Sequence, residues 1–207
     1  MNGRPIKHLV LLCISIFLLV GSQVARAEFL GLLNGRLADV SRIPKLSVDF
    51  GVVFADDSQL LGVRANYKLT PIFLVYANIA FSDLGPGDGL PVGVGALYTV
   101  ENILKGFDVG LKLSYHRASF DVGDANFDAT NLAFEVIGST QRGFGPNGNF
   151  DFYANLGLQD IDLDFASDGV ELSIGGGVIA PIGRGEVFVG VDLIDDAMFG
   201  GGFRLFF

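Results

Sequence analysis

The feature that most constrains this chain is an alternation of period two that begins at Pro44 and runs to its last residues. Leu46, Val48, Phe50, Val52 and Phe54 fall on one face of an extended chain, with Lys45, Ser47, Asp49 and Gly51 on the other. The pattern returns in the series from Leu61, Phe73, Val92, Phe107, Leu132, Phe150, Val170, Val187 and Phe199. Period two is the strand period, because successive side chains leave a pleated backbone on opposite sides. Turn-forming clusters separate the runs, such as Asp56-Asp57-Ser58, Gly85-Pro86-Gly87-Asp88-Gly89 and Pro181 to Gly185. Segments of this length and spacing form a meander of hairpins. Ten strands are expected, with eight as the alternative if one hairpin is counted in excess. An even number returns both ends of an up-and-down barrel to one side.

Alternation alone does not say which face is inside, since a soluble barrel would bury the same apolar series. Three features point to apolar residues outside, against lipid. The polar face is rich in glycine: Gly93, Gly95, Gly110, Gly157, Gly175, Gly177, Gly200 and Gly202. Glycine weakens strands and a solvated face has no use for it. A narrow lumen needs it, to admit long side chains such as Tyr76, Tyr153, Arg64, Lys112 and Glu135. Aromatic residues cluster at the ends of the apolar runs, with Tyr67, Phe73, Tyr98, Phe107, Phe150 and Phe207 at one rim and Phe54, Phe81 and Phe199 at the other. Two such girdles mark membrane interfaces. The odd-numbered connections carry Asp56, Asp57, Asp83, Asp88, Asp121, Asp124, Asp128, Asp160, Asp162, Asp164, Asp168, Asp195 and Asp196, whereas the even ones contain or adjoin Lys68, Lys105, Arg142 and Arg184.

The N-terminus reads as an export signal. Arg4 and Lys7 precede an apolar run from Leu9 to Val20, and Ala25-Arg26-Ala27 forms a small-x-small cleavage site. Cleavage after Ala27 is expected. Cys13 lies inside the apolar run, so the mature chain would hold no cysteine and no thiolate metal site. The leader carries three basic residues and no acid, so its removal takes the formal charge from −9 to −12. Such a charge repels phosphate and argues against nucleic-acid binding. Three parts follow: a signal peptide (1–27), an N-terminal segment (28–43) and the barrel (44–207). Leu30, Leu33, Leu37 and Val40 have helical spacing, so 28–43 is expected as a short amphipathic helix at the inner membrane surface, with an unstructured leader as the alternative.

The C-terminal run Phe199-Gly200-Gly201-Gly202-Phe203-Arg204-Leu205-Phe206-Phe207 resembles the closing strand of bacterial outer-membrane barrels, which ends in Phe with apolar residues at alternate positions before it. In size the chain is similar to the OmpA membrane domain and to the OmpX-like and opacity-type barrels. The resemblance implies a Gram-negative outer membrane and recognition of Phe207 by the barrel-assembly machinery. It does not select one family.

Candidate sites are few. Asp160, Asp162, Asp164 and Asp168 form the densest acidic group, able to share a hard cation such as calcium, or else to act as a solvated strand extension. Apolar residues between them and a missing distal Glu set the group apart from a calcium-loop motif. Asp49, Arg64, Asp108, Lys112, His116, Glu135, Asp151, Glu171 and Arg204 fall on the lumen face and are expected to form a charge network, since buried charges must pair. His116, the one histidine after the leader, lies two residues from Ser114 on that face; with Asp121 or Asp160 it would suit a rim hydrolase or acyltransferase.

The leading expectation is a non-enzymatic, monomeric, porin-like cell-envelope barrel, structural or surface-exposed, with passage of very small solutes within its reach. It needs no cofactor beyond weakly bound divalent cations, and its partners are membrane lipid and lipopolysaccharide. A rim enzyme using His116 is the second reading, and an adhesion or ligand-binding barrel the third, ranked lower because the outer loops are short.

Overall fold

The computed structural model describes residues 37–207 except 56, 57, 84–86, 105, 123, 124, 144–148, 164, 165, 195 and 196. The leader, residues 28–36 and Asp164 therefore lie outside the described residues. Eleven strands follow one 3-10 turn (Val40–Arg42): β1 (Leu46–Ala55), β2 (Ser58–Thr70), β3 (Phe73–Asp83), β4 (Gly87–Gly89), β5 (Val92–Leu104), β6 (Phe107–Val122), β7 (Ala125–Gly143), β8 (Asn149–Leu163), β9 (Ala166–Ile182), β10 (Gly185–Leu193) and β11 (Ala197–Phe206). Each long strand pairs antiparallel with its sequence neighbours, and β1 pairs with β11, closing a barrel of ten long strands. The three-residue β4 bridges β3 and β6 where β5 ends. Closure leaves no sheet edge, so every strand finds backbone partners on both sides within the wall.

The alternation read from the sequence is the inside–outside parity of this wall. In β8, Asp151, Tyr153, Asn155, Gly157 and Gln159 are buried, while Ala154, Leu156 and Leu158 are exposed. β6 behaves alike, with Lys112, Ser114 and His116 buried and Leu113 and Tyr115 exposed. β1 begins and β11 ends at one end of the barrel, here called the terminal end. The opposite one is the loop end. The wall is not of even height: β1, β10 and β11 have 9 or 10 residues, whereas β6 to β9 have 15 to 19. About 9–11 residues suffice to cross a bilayer, so the β6–β9 side extends beyond it.

The N-terminal segment departs from expectation. Its described part, Leu37–Ile43, forms no amphipathic helix on the membrane surface. It enters the lumen at the terminal end, where Leu37, Ala38 and Val40 are fully buried. Helical spacing of leucines is ambiguous over so short a stretch; Leu37 and Val40 are spent on the lumen, and Leu30 and Leu33 lie outside the described residues.

Candidate functional site

The exterior decides the environment of the barrel. Leu61, Ile79, Val94, Leu113, Phe134, Leu156, Val189 and Phe203 are all exposed, and they form a continuous band around the wall. In water such a surface would drive aggregation. Phe50 stacks on Phe203 across β1 and β11, ring centroids 5.0 Å apart, within this band. Tyr67, Tyr98, Phe107 and Phe207 are exposed toward the terminal end, and Phe54, Phe81 and Phe199 toward the loop end. The inside carries the charges, with Asp49, Arg64, Lys112, His116, Glu135, Asp151 and Arg204 all buried. A polar interior within an apolar band flanked by aromatic rims is a transmembrane arrangement. The chain is a β-barrel of the outer-membrane type.

No protein-family model and no curated protein matches the sequence. Some solved structures align with the chain at low identity. A KdgM porin aligns with TM-score 0.45 and 11% identity over 78% of this chain and 99% of its own. LpxR from Salmonella typhimurium aligns with TM-score 0.45 and 8% identity over 78% and 100%. The outer membrane protein Omp33 of Acinetobacter baumannii gives 0.39 and 12% over 79% and 98%.

The lumen network is built from register. Arg64, Asp49, Arg204 and Glu186 are directly opposite one another on the consecutive strands β2, β1, β11 and β10. They form one row of alternating charge. Arg204 Nε donates to Asp49 Oδ1 at 2.7 Å, its Nη2 to Asp49 Oδ2 at 3.1 Å, and its Nη1 to Glu186 Oε2 at 3.1 Å. Arg64 Nε donates to Asn66 Oδ1 at 2.7 Å, and Asn66 donates in turn to Asp49 at 3.0 Å. The Arg64 guanidinium lies 4.0 Å from the centroid of the Tyr76 ring, a cation–π contact that suits a desolvated cation. A second group sits across the lumen. Lys112 pairs with Glu135, its cross-strand neighbour on β7, and Asn155 donates to both Glu135 and Asp192 at 3.2 Å. These contacts let buried charges remain charged where each alone would be strongly disfavoured.

The glycines make room for this filling. A Cβ at Gly95 would overlap the Tyr76 ring, and one at Gly190 or Gly177 would meet the Tyr153 hydroxyl. A Cβ at Gly157 would approach Glu135 Cγ, and one at Gly175 would strike Asp192. Little space is left around these side chains among the described residues. Two lumen cavities, one lined by Tyr153, Phe188, Asp192 and Met198 and the other by Leu37, Ile43, Arg64, Lys112 and Arg204, have volumes of about 10 Å³ each. That is room for about one water molecule.

The expected network members do not all meet. Asp49, Arg64 and Arg204 join in one group and Lys112 with Glu135 in another, while Asp151 pairs with Arg42 of the N-terminal segment. Asp108, half-buried toward the terminal end, lies within electrostatic reach of Arg42 and Asp151, and Glu171 is half-buried toward the loop end. His116 is buried, its Nε2 3.2 Å from Asn78 Oδ1, and its ring fills the space beside Gly93. Asp160 does not join it. Ile161 takes the inward position, and Asp160 and Asp162 stand exposed on the outer face. Asp168 lies in β9, and among the described residues no cluster of three or more His, Cys, Asp or Glu side chains could hold a metal ion. The outer surface near the loop end also bears a cation: Arg117, mostly exposed, pairs with Asp128, which also accepts from Ser119 Oγ at 2.5 Å.

Sequence reasoning missed Glu186, Asp192, Arg42 and two apolar clusters inside the lumen. At the loop end Val53, Leu60, Ala80, Ile194 and Met198 pack together; at the terminal end Leu74, Leu97, Ile137, Ile179 and Phe188 pack with the N-terminal segment. A signal for them exists. Seven of these ten are the inward half of an apolar doublet that interrupts the alternation: Val52-Val53, Leu60-Leu61, Phe73-Leu74, Val136-Ile137, Val178-Ile179, Val187-Phe188 and Leu193-Ile194.

Proposed function

We propose that this protein is a non-enzymatic outer-membrane barrel, exported with cleavage after Ala27, whose lumen is closed at rest. The observation that carries this reading is the packing of the lumen among the described residues, where charge rows, two tyrosines and the N-terminal segment border cavities of about 10 Å³. A hydrated solute needs a continuous passage, and a water-sized void is not one. Against an enzyme, His116 is fully buried and the Asp160 carboxylate lies on the opposite side of the wall, so that pair cannot act as base and orienting group. The acidic outer surface, with Asp160 and Asp162 exposed, is suited to divalent cations that bridge it to anionic lipopolysaccharide. Planar-bilayer recording on purified protein tests the central point. Steady ohmic current from the native protein would sink the closed-lumen reading. Intact-mass measurement of the membrane-resident chain tests the cleavage site, with residues 1–27 expected to be absent.

A further inference from the structure

The segment Leu37–Ile43 lies in the lumen as a ligand lies in a site. Thr99 Oγ1 accepts from the Val40 N–H at 2.9 Å and donates to the Ala38 carbonyl at 2.8 Å. Ser139 Oγ accepts from the Ala38 N–H at 3.1 Å. One hydroxyl on β5 and one on β7 thus satisfy three backbone groups of the segment, on Ala38 and Val40, without reading a side chain. The wall is shaped for it too: a Cβ at Gly110 would come within 3.2 Å of Ala38 Cα and O. Specificity enters through two features. Leu37, Val40 and Ile43 pack into the terminal-end apolar cluster. The Arg42 guanidinium forms a two-pronged pair with Asp151, Nη1 to Oδ1 at 2.5 Å and Nη2 to Oδ2 at 2.6 Å, the geometry in which arginine recognises a carboxylate most strongly. The segment belongs to no strand, and its covalent link to β1 is a short connection at the mouth of the barrel.

From this arrangement we propose that the terminal-end half of the lumen is a peptide-binding cleft, occupied in cis by Leu37–Ile43 and able to take in trans an extended peptide of the same chemistry, apolar residues followed by arginine. The proposal rests on the closed-lumen reading, because the occupant is part of what closes the barrel. The loop-end cluster of Val53, Leu60, Ala80, Ile194 and Met198 belongs to the wall and stays in place. Displacement of the segment therefore opens a dead-end chamber facing the terminal end and not a through-pore.

The test uses the full chain and a labelled synthetic peptide of residues 37–43. In the native protein the tethered segment competes at high effective concentration, so binding in trans is weak. Arg42→Ala weakens the cis occupant and leaves the buried Asp151 carboxylate uncompensated, which a peptide arginine relieves. Binding to this variant is expected to be at least about tenfold tighter than to the native chain. A peptide with alanine in place of the arginine should lose that gain, and Asp151→Asn combined with Arg42→Ala should lose it as well. A second variant guards against misfolding. Leu37→Ala with Val40→Ala loosens the cis occupant through its apolar contacts and leaves every wall residue in place; binding of the native peptide should again be at least about tenfold tighter than to the native chain. Retention of the folded band on gels confirms the barrel in each case. No binding to a folded Arg42→Ala chain, or binding indifferent to the peptide arginine or to the loss of Leu37 and Val40 from the cis segment, overturns the proposal. Bilayer conductance reports on the closed lumen separately, so failure of one reading is distinguishable from failure of the other.

Discussion

At the terminal end the lumen is closed by a piece of backbone, Leu37–Ile43, held through Thr99, Ser139 and Asp151; at the loop end it is closed by side chains that the wall itself projects, Val53, Leu60, Ala80, Ile194 and Met198. The first closure is made of groups that could leave together. The second is part of the ten strands and cannot leave without unfolding them. Between the two lies the ionic layer, with Asp49, Arg64, Arg204 and Glu186 in one group and Lys112, Glu135, Asn155 and Asp192 in another. Buried charge therefore sits between two apolar closures, shielded from water at both mouths. The contrast teaches that equal burial does not imply equal contribution to the fold, since what counts is whether the buried group can be released alone.

The largest effect is expected in the ionic layer, on which both closures rest. Arg204→Met removes the shared partner of Asp49 and Glu186 and should destabilise the barrel by about 3–5 kcal/mol, the usual consequence of breaking a buried pair from one side. Urea titration of the folded fraction measures it. A loss well under 1 kcal/mol would mean that the layer is hydrated and the two closures leak. The outer surface shared by both ends comes next. Arginine at Phe134 or Leu156 should destabilise by about 2–4 kcal/mol if the site lies near the bilayer midplane. The same substitution in a barrel facing water would have little effect, so refolding into vesicles under denaturant discriminates.

The comparison itself is sharpened by two leucines of equal burial. Leu37 and Leu60 are each 1% exposed. Leu60→Ala leaves a cavity in the wall cluster and should lower stability by about 2 kcal/mol or somewhat more. Leu37→Ala should change the stability of the barrel by less than about 1 kcal/mol, because a weakened segment can leave and the wall remains folded. Equal losses in equilibrium unfolding would show that the segment is an integral part of the barrel. The smallest effect belongs to the outer surface. Asp160→Asn with Asp162→Asn should leave the folded barrel as stable as before in the absence of divalent cations. It should also abolish any protection that calcium or magnesium gives against heating. A chelator that lowers the heat resistance of native and variant chains alike would remove the cation bridge from consideration.

Much of the fold was legible in advance because a barrel wall turns sequence parity directly into geometry. Leu156, Phe134 and Val189 could be placed outside, and Asp49, Lys112 and Glu135 inside, from period two alone, since a strand offers only two faces. The glycines of the polar face announced that large side chains needed room, and Tyr76 and Tyr153 occupy it. Ten strands followed from counting alternating runs between turns. The apolar doublets were also in the sequence, but parity averaged over a whole run hides a single inward residue such as Leu60 or Ile137.

What only the tertiary structure decided is which residues meet. Pairing depends on register, the offset of one strand against the next, and a shift of two residues keeps every face assignment while changing every partner. Arg204 between Asp49 and Glu186, and Asp151 apart from them with Arg42, are consequences of that offset. The place of Leu37–Ile43 was hidden for a related reason. A short segment with apolar residues and one arginine fits a membrane surface as well as a lumen, and its backbone can be satisfied in either place. The lumen holds it because the register of β5, β6 and β7 brings Thr99 and Ser139, forty residues apart, to face the same stretch of backbone beside Gly110.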